Sequence, residues 1–402
     1  MSDVPPLRFP EFTDEWGKYM LSDVCSFFSG GTPSSSKKEY YDGSIPFIRS
    51  GELHMNKTEL FITEEGLNNS AAKMVEIGDL LLALYGATSG DIAISQIKGA
   101  INQAILCIRT TQNKKFIESV WKKHVEKLLQ TYLQGGQGNL SADIVKNISF
   151  YFANSSEQMK LAKFISLLDE RIATQNKIIE DLKLLRDAIS DAMFCSPKQS
   201  APRKRIKGFY TDWQKVHLND ICSRVTQKNT NGRCDLVLTI AAQYGLVSQL
   251  DFFNKSVASE NLEGYYLLQK GDFAYNKSYS SEYTCGAVKR LERYEEGVLS
   301  PLYICFRPAP SKVDSDYLTY YFESTKWHRE IMDISVEGAR NHGLLNISVV
   351  DYFNTIHRIP KMDEQKYIAN VIKTIIRKMS SEQTILDCYV KQRTFLLQQM
   401  FI

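Results

Sequence analysis

The side chains of this 402-residue chain that could do chemistry lie in polar loops between short apolar runs. Arg and Lys donate hydrogen bonds to guanine in the major groove of DNA, and Asn and Gln pair with adenine. We therefore interpret these loops as candidate DNA contacts, although the same residue types also occur in polar loops that bind nothing. The candidates are Thr32, Ser34, Lys37, Lys38, Arg49, Asn102, Gln103, Gln137, Asn139, Gln227, Lys228, Asn229, Asn276, Lys277, Tyr279, Arg340, Asn341 and His342.

Motifs that mark catalytic sites are missing from the sequence. There is no Gly-x-x-x-x-Gly-Lys-Ser/Thr loop for phosphates, no Gly-x-Ser-x-Gly, and no Asn-Pro-Pro-aromatic tetrad of the kind that amino-methyltransferases carry. The six histidines show no metal-ligand spacing, and no Cys-x-x-Cys pair occurs. We therefore expect no catalytic residue, no metal site and no cofactor in this chain. Nuclease clusters of carboxylates and lysine are weakly patterned, so an unrecognised enzyme stays a minor alternative.

The composition is ordinary for a globular protein of two or three domains. Hydrophobic residues make up 43% and charged residues 24%, and the formal net charge is +3. No apolar run is long enough to span a membrane, and the first residues do not resemble a secretory signal. The eight cysteines have no disulfide-framework spacing, which fits a reducing compartment. We expect a cytoplasmic location without a membrane partner.

An internal repeat organises the chain. The segment 16–26 matches the segment 213–223 at six identical positions, beginning with Trp16 and Trp213. A second block, which begins with Glu-Gln at 157 and at 364, ends each half. Two shorter blocks lie between them: Gly78-Asp79 with Gly271-Asp272, and Cys107-Ile-Arg109 with Cys305-Phe-Arg307. The offset between the halves drifts, which predicts one scaffold with two different sets of loops.

Two long helices are predicted at 157–194 and at about 364–400, because apolar residues recur there in heptads without Gly or Pro. Neither helix can bury such a stripe alone, so we expect the two to pack together. An antiparallel pair is favoured over a parallel one, and dimerisation through a generic coiled coil is the alternative. The seam consists of Leu161, Ile165, Leu168, Ile172, Ile179, Leu182, Ile368, Ile372, Ile375, Met379, Leu386 and Leu396.

These patterns predict an α+β protein with two pseudo-symmetric α/β halves, joined by two long antiparallel coiled-coil helices. The expected segments are a first globular half 1–156, a central helix 157–195, a basic linker 196–208, a second globular half 209–363 and a C-terminal helix 364–402. The linker could contact phosphate or could simply be solvated.

Each globular half should contain short strands and one helix. Strand-like runs cover Leu80–Tyr85, Ile92–Ser95 and Ala104–Ile108 in the first half, where glycines interrupt them. The expected helices are Phe116–Leu133 in the first half and its counterpart Asp316–Met332 in the second.

The whole chain resembles the specificity subunit of type I restriction-modification enzymes. The resemblance rests on the paired tryptophans, on Gly30-Gly-Thr-Pro-Ser34, and on the Glu-Gln pair that opens each long helix. It also rests on the segments that precede these helices: Asn139-Leu-Ser141 with Ile144 and Ile148, Leu345-Asn-Ile347, and Ile359-Pro360. The first half has Phe150-Tyr-Phe152 where the family often has Ile-Pro, and the second half lacks Gly-Gly-Thr-Pro-Ser.

The resemblance implies a non-catalytic subunit that binds double-stranded DNA. Each globular half would be a target recognition domain for one part of a bipartite, asymmetric site, and the helices would set the spacing and dock two modification subunits. Those partners would bind S-adenosylmethionine and methylate adenine, and restriction subunits would add translocation and cleavage with ATP and magnesium. A coiled-coil scaffold with duplicated protein-binding heads is the rival hypothesis.

Overall fold

A computed structural model describes residues 4–133, 139–253, 261–335 and 343–402. The chain divides into two compact units, the first formed by Met1–Asn176 with Thr384–Ile402, and the second by Lys177–Gln383. Each unit therefore combines one globular half with parts of both long helices. We call residues 4–153 the first head and residues 209–361 the second head.

The first unit is a mixture of helix and sheet. Its strands are β1 (Gly17–Met20), β2 (Cys25–Ser29), β3 (Tyr41–Ile48), β4 (Phe61–Ile62), β5 (Lys73–Val75), β6 (Leu80–Ala83), β7 (Ile92–Ile94), β8 (Gly99–Ile101), β9 (Ile105–Thr110) and β10 (Ser149–Phe152). Its helices are α1 (Leu21–Val24), α2 (Glu64–Asn68), α3 (Lys114–Leu133), α4 (Ala142–Lys146) and the beginning of α5 (Ser155–Met193).

The described residues of this unit form three sheets. An antiparallel sheet has the order β2-β9-β6-β7, and a second has the order β4-β3-β8-β5, in which β3 and β8 run parallel. The pair β1-β10 joins the start of the head to the segment before α5. The strands predicted at 80–85, 92–95 and 104–108 are observed as β6, β7 and β9.

The second unit repeats the main parts of this plan. Its strands are β11 (Gln214–His217), β12 (Cys222–Arg224), β13 (Leu238–Ala241), β14 (Gly245–Ser248), β15 (Tyr266–Gln269), β16 (Phe273–Asn276), β17 (Ala287–Arg290), β18 (Glu296–Leu299), β19 (Ile304–Pro308) and β20 (Ile356–Ile359). The other helices of the chain are α6 (Leu218–Ile221), α7 (Gln249–Phe253), α8 (Ser315–Glu323), α9 (His328–Ile334), α10 (Val349–Phe353) and α11 (Met362–Met400).

The repeat seen in the sequence is a repeat of topology. The sheet order β12-β19-β16-β17 matches β2-β9-β6-β7 strand for strand, and the pair β11-β20 matches β1-β10. The segments inserted between these strands form the pairs β13-β14 and β15-β18, joined by a parallel bridge between Val237 and Val298, where the first unit has a continuous four-stranded sheet. The two heads therefore share a frame and differ in the structure inserted into it.

An ion pair that occurs once in each unit explains two of the repeated sequence blocks. Asp79 precedes β6 and accepts a 2.8 Å hydrogen bond from Arg109 on β9. Burial raises the pKa of the Asp79 carboxyl and the bond from Arg109 lowers it, and the net result is a lowered pKa. Asp272 and Arg307 make the same pair in the second unit, with Nε 2.6 Å from Oδ1. The Gly-Asp and Cys-x-Arg blocks thus fasten adjacent strands in each head.

One predicted helix is wrong in extent. The sequence predicts a continuous helix over 316–332, whereas the structure has α8 and α9 with a break between them. Ser324 has extended backbone and its hydroxyl donates to the carbonyl of Tyr321, which ends α8. The break lets Trp327 turn inward, where its side chain is 1% exposed and its indole donates to Phe322 O.

The long helices pack antiparallel within each unit. In the first unit, Leu161 and Ile165 near the start of α5 share a core with Leu397 and Phe401 at the end of α11. In the second unit, the end of α5 shares a core with the start of α11. The predicted seam residues are all buried or half-buried, and the buried ones are Leu161, Ile165, Ile179, Ile368, Ile372 and Leu386.

The ends of the two helices complete the head cores. Phe401 is fully buried in the first unit, with its ring centroid 5.4 Å from that of Phe116 and 6.5 Å from that of Trp16. Phe194 is fully buried in the second unit, 5.4 Å from Tyr317. The repeat-equivalent phenylalanines therefore lie in the core cluster that contains the first tryptophan of each head.

A buried histidine in the second unit makes its stability depend on pH. His357 is 3% exposed; its Nδ1 lies 3.0 Å from the Tyr321 hydroxyl and its Nε2 2.9 Å from Thr355 Oγ1. The Thr355 hydroxyl donates to Tyr352 O, so it accepts from Nε2–H, and Tyr321 donates to Nδ1 of a neutral ring. Burial, with a smaller effect of His217, lowers the pKa of His357 to about 3.

We expect acid to destabilise the protein through His357. At pH values between the unfolded pKa of about 6.5 and the folded pKa, the unfolded chain binds one more proton than the folded protein. The free energy of unfolding therefore falls by about 1.4 kcal/mol for each unit by which the pH is lowered. Urea unfolding at pH 7 and pH 5 should show a loss of about 2 kcal/mol from this group. His357→Gln, which can keep both hydrogen bonds, should lose that much less over the same interval. An identical pH dependence in the variant would contradict the assignment.

No helix in the described residues is both long enough and apolar enough to cross a membrane.

Candidate nucleic-acid interface

The candidate loops of the first head leave one end of its β2-β9-β6-β7 sheet. At that end β2 and β6 finish and β9 begins, so the segments after Ser29, after Ala83 and before Ile105 are neighbours. Gly30 permits the closest approach, because a Cβ there would stand 1.8 Å from the carbonyl oxygen of Ile101. We call this region the first loop end.

Hydrogen bonds connect the loops at the first loop end. Thr32 Oγ1 donates to Gln103 Oε1 at 2.7 Å, which brings two candidates from different loops together. The backbone of Leu84 bonds Ala104 on one side and Leu140 on the other, at 2.8 and 3.0 Å. The exposed candidates that meet here are Thr32, Ser34, Gln103 and Asn139.

The second head has an equivalent second loop end, where β12 and β16 finish and β19 begins. The segment after β16 lies beside the segment before α10, since Leu345 N donates to Lys277 O and Tyr279 N donates to Gly343 O, both at 2.9 Å. The first of these bonds is the counterpart of Leu140 to Leu84 in the first head. Candidates Gln227, Lys228, Asn276, Lys277 and Tyr279 all border this end.

Two basic residues, Arg224 and Lys228, lie together at the second loop end, and the sequence analysis predicted only Lys228. Lys228 Nζ lies 3.9 Å from the ring centroid of Tyr266, and Arg224 Nη2 donates to the hydroxyl of the same ring at 3.2 Å. Both cations are exposed. Arg224 was missed because it lies within β12 rather than in a polar loop. Tyr85, 38% exposed beside the loop of Asn139, was missed because it ends an apolar run.

Several of the predicted contact residues have hydrogen-bond partners inside the protein. Asn229 is fully buried, and its amide bonds the backbone of Cys234 through Oδ1 and Nδ2 at 2.9 and 2.8 Å. Asn229 therefore stabilises its own loop, and because it is buried we no longer count it among the candidate DNA contacts. Asn102 and Asn276 are half-buried, and each amide oxygen accepts from a backbone N–H two residues ahead.

Arg49 and Lys37 also have internal partners. Arg49 binds Glu52 at 2.9 Å and Glu59 at 2.6 Å, so its positive charge is matched locally. Burial of Glu52 opposes its ionisation, but hydrogen bonds from Arg49 and neighbouring groups prevail and lower its pKa to about 2. Lys37 Nζ donates to the Tyr40 hydroxyl at 2.8 Å, whereas Lys38 is exposed. Four other candidates, Gln137, Arg340, Asn341 and His342, lie outside the described residues.

The basic linker is partly structural. The half-buried Arg205 makes an ion pair with the buried Glu364, and Arg203 lies 2.9 Å from Asp191. The other basic residues of the linker, Lys198, Lys204 and Lys207, are exposed. Among the described residues, no group of three or more His, Cys, Asp and Glu side chains could hold a metal ion.

Comparison with known proteins decides the family. Residues 13–184 match the family described as type I restriction modification DNA specificity domain. The MjaVIII specificity subunit of Methanocaldococcus jannaschii is 22% identical over 405 aligned residues, which cover 94% of this chain and 90% of that protein. Together these matches indicate a specificity subunit of a type I restriction-modification system. The family resemblance seen in the sequence is thereby confirmed.

Other members of the family support the placement of this specificity subunit. The EcoR124I/EcoR124II specificity subunit of Escherichia coli is 26% identical over 187 residues, or 44% of this chain and 45% of that protein. The crystal structure of the S subunit from M. genitalium has the same fold, with a TM-score of 0.57 at 14% identity and 99% coverage of both chains. The mixed helix and sheet architecture is therefore shared with that S subunit.

Proposed function

We propose that this chain is the DNA-recognition subunit of a type I restriction-modification complex and that it reads a bipartite, asymmetric target. Each head is a target recognition domain that places its loop end against one half-site. The chain itself carries out no catalytic step. It selects the DNA sequence on which partner subunits act.

The observation that carries this proposal is a pair of equivalent loop ends with unlike side chains. Both lie at the same end of the same four-stranded sheet order. The first offers neutral polar groups such as Thr32 and Gln103, whereas the second adds the exposed cations Arg224 and Lys228. Direct readout depends on donor and acceptor patterns, so two unlike surfaces would select two unlike half-sites.

The long helices are proposed to set the spacing between half-sites and to dock two modification subunits. Ile178 of α5, in the second unit, and Ile385 of α11, in the first, are equivalent in the repeat, and they are 38% and 39% exposed. Further exposed apolar side chains on these helices are Leu167, Leu184, Leu185, Val390 and Phe395. Equivalent exposed apolar positions, one in each unit, suit two copies of one partner.

The chemistry of the assembled complex would belong to the partners. Modification subunits would bind S-adenosylmethionine and methylate adenine at N6, and restriction subunits would translocate and cleave DNA with ATP and magnesium. The assembled complex would then be both an adenine methyltransferase and a type I deoxyribonuclease, and the cytoplasm, where DNA and these partners meet, would be its location.

Mapping of methylated adenines tests this function. The chain is expressed with its modification subunits in a host that lacks other adenine methylation, and the genome is sequenced with detection of N6-methyladenine. We expect one sequence motif with two specified parts and an unspecified spacer. Partners expressed without this chain should give no such motif.

Binding of random duplex DNA separates the proposal from a protein scaffold. Gel shifts with and without the modification subunits should show salt-sensitive binding by the complex, since phosphate contacts release counterions. Complexes that form normally but neither bind duplex DNA nor methylate a defined motif would favour the scaffold with protein-binding heads.

A further inference from the structure

A three-residue polar cluster fastens the first head to the start of α5. Glu157, which is fully buried, accepts hydrogen bonds from Arg8 Nε and Nη2, both at 2.7 Å. The indole of Trp16 donates to Glu157 Oε2 at 3.1 Å. Arg8 also donates to the carbonyl of Asp14, so its guanidinium bridges the arm before β1 and the long helix. We call Arg8, Trp16 and Glu157 the first latch.

The second head has the same cluster at the start of α11. Glu364 accepts from Arg205 Nε and Nη2 at 2.9 and 2.8 Å, and the Trp213 indole donates to it at 3.3 Å. Arg205 also donates to the carbonyl of Thr211, which is the repeat equivalent of Asp14. Arg205, Trp213 and Glu364 are the second latch. Its sequence signal was present, because Arg8 and Arg205 share the offset of the two tryptophans.

The glutamine that follows each latch glutamate holds a third segment of the head. Gln158 accepts from the N–H of Asn113, immediately before α3, and donates to the carbonyl of Ala153. Gln365 likewise accepts from the N–H of Asp314, immediately before α8, and donates to the carbonyl of Pro360. Two consecutive side chains thus connect the first turn of a long helix to three separate parts of its head.

This geometry suits orientation better than stability. A buried ion pair contributes little net stability, because removing both charges from water costs about as much as their attraction returns. A guanidinium bound to a carboxylate through two parallel N–H···O bonds nevertheless fixes the relative direction of the two groups. Apolar contacts, such as those of Leu161 and Ile165 with the head core, are non-directional and can slide.

We propose that the two latches are positioning elements that fix the angle at which each head meets its long helix. This inference rests on the proposed function, because the angle matters only if the heads must meet half-sites at one spacing. A head held at one angle accepts one spacing, whereas a head that can rock accepts several. The latch residues contact no DNA; they determine the spacing at which the loop ends can bind it.

The test uses the complete complex with its modification subunits. Arg8→Met combined with Glu157→Gln removes the two parallel bonds but retains an oxygen to accept from the Trp16 indole. Arg205→Met with Glu364→Gln does the same at the second latch, and Arg8→Lys keeps the charge with a single point of contact. The matched control is Arg203→Met, which breaks the exposed pair with Asp191 in the linker.

Methylation rates are measured on duplexes that carry both half-sites at the native spacing and at one or two base pairs more or less. Each latch variant, Arg8→Lys included, should lower the preference for the native spacing about tenfold. Discrimination against half-site mismatches should stay unchanged. Arg203→Met should match the unaltered complex in both respects.

Thermal unfolding and complex assembly are measured on the same samples. A folded latch variant with the native spacing preference would overturn the inference, as would Arg8→Lys with native preference if the double variants fail to fold. A loss of mismatch discrimination together with spacing would also overturn it, because that pattern reports general loosening of the head. If the unaltered complex shows no preference for sequence or spacing, the proposed function itself fails.

Discussion

Replacement of residues 209–363 by the equivalent segment of a relative with another target will change one half of the methylated motif and leave the other half unchanged. The segment carries the second loop end and the elements β13, β14 and α7, which lie in the part of the head where the sheets of the two units differ. Its frame strands repeat those of the first unit. The new half-site should therefore appear in full, and the old one should no longer be methylated at a detectable rate.

Sequencing of methylated adenines in a host that expresses the chimera measures this result. The junctions leave Glu364 and Arg205 in place, so the second latch keeps two of its three members, and the incoming segment must supply the tryptophan. A control chimera that exchanges the segment with that of a relative sharing the same half-site should keep the original motif. If both halves of the methylated motif change, or neither does, the proposal that each head reads one half-site is refuted.

Truncation of Phe401 will destabilise the first unit by about 3–5 kcal/mol, the range observed when a buried phenylalanine is cut back to alanine. Its ring is fully buried among Trp16 and Phe116, so Phe401→Ala leaves a cavity beside both. Phe194→Ala should do the same to the second unit, where Phe194 contacts Tyr317. Hydrogen exchange resolved by peptide distinguishes the units, since local opening exposes different amides.

We expect Phe401→Ala to raise exchange first in β9 of the first unit, and Phe194→Ala to raise it first in β19 of the second. Phe395→Ala is the control, because Phe395 lies near the end of α11, just before Phe401, but is 57% exposed. That change should stay within about 0.5 kcal/mol. If Phe401→Ala loosened the second unit before the first, the assignment of the helix end to the first core would be wrong.

The candidate interface was partly predictable from sequence. Residue type and loop position selected Thr32, Gln103 and Lys228, which the structure leaves exposed, because polar loops between apolar runs are a local pattern. The same criteria selected Asn229, whose amide is consumed by the backbone of Cys234. Residue type alone cannot separate these cases, since an asparagine that satisfies a loop and one that faces solvent are identical in sequence.

The fold shows the same division between local pattern and packing. The strands β6, β7 and β9 of the first head and the two long helices were predicted from local sequence patterns, and so was the stripe that makes the helices pack. The break at Ser324 was not, because helix propensity continues through it and only the burial of Trp327 requires the turn.

What the sequence determined about this protein is its duplicated plan: two heads, two long helices, and the family to which they belong. Only the tertiary structure decided which partners meet across that plan. Phe194 follows the first head in the chain but completes the core of the second unit, and Phe401 completes the core of the first. Arg8 and Glu157 are far apart in sequence and meet only after the head has folded on its helix. Such pairings depend on long-range packing, which no local pattern of residues encodes.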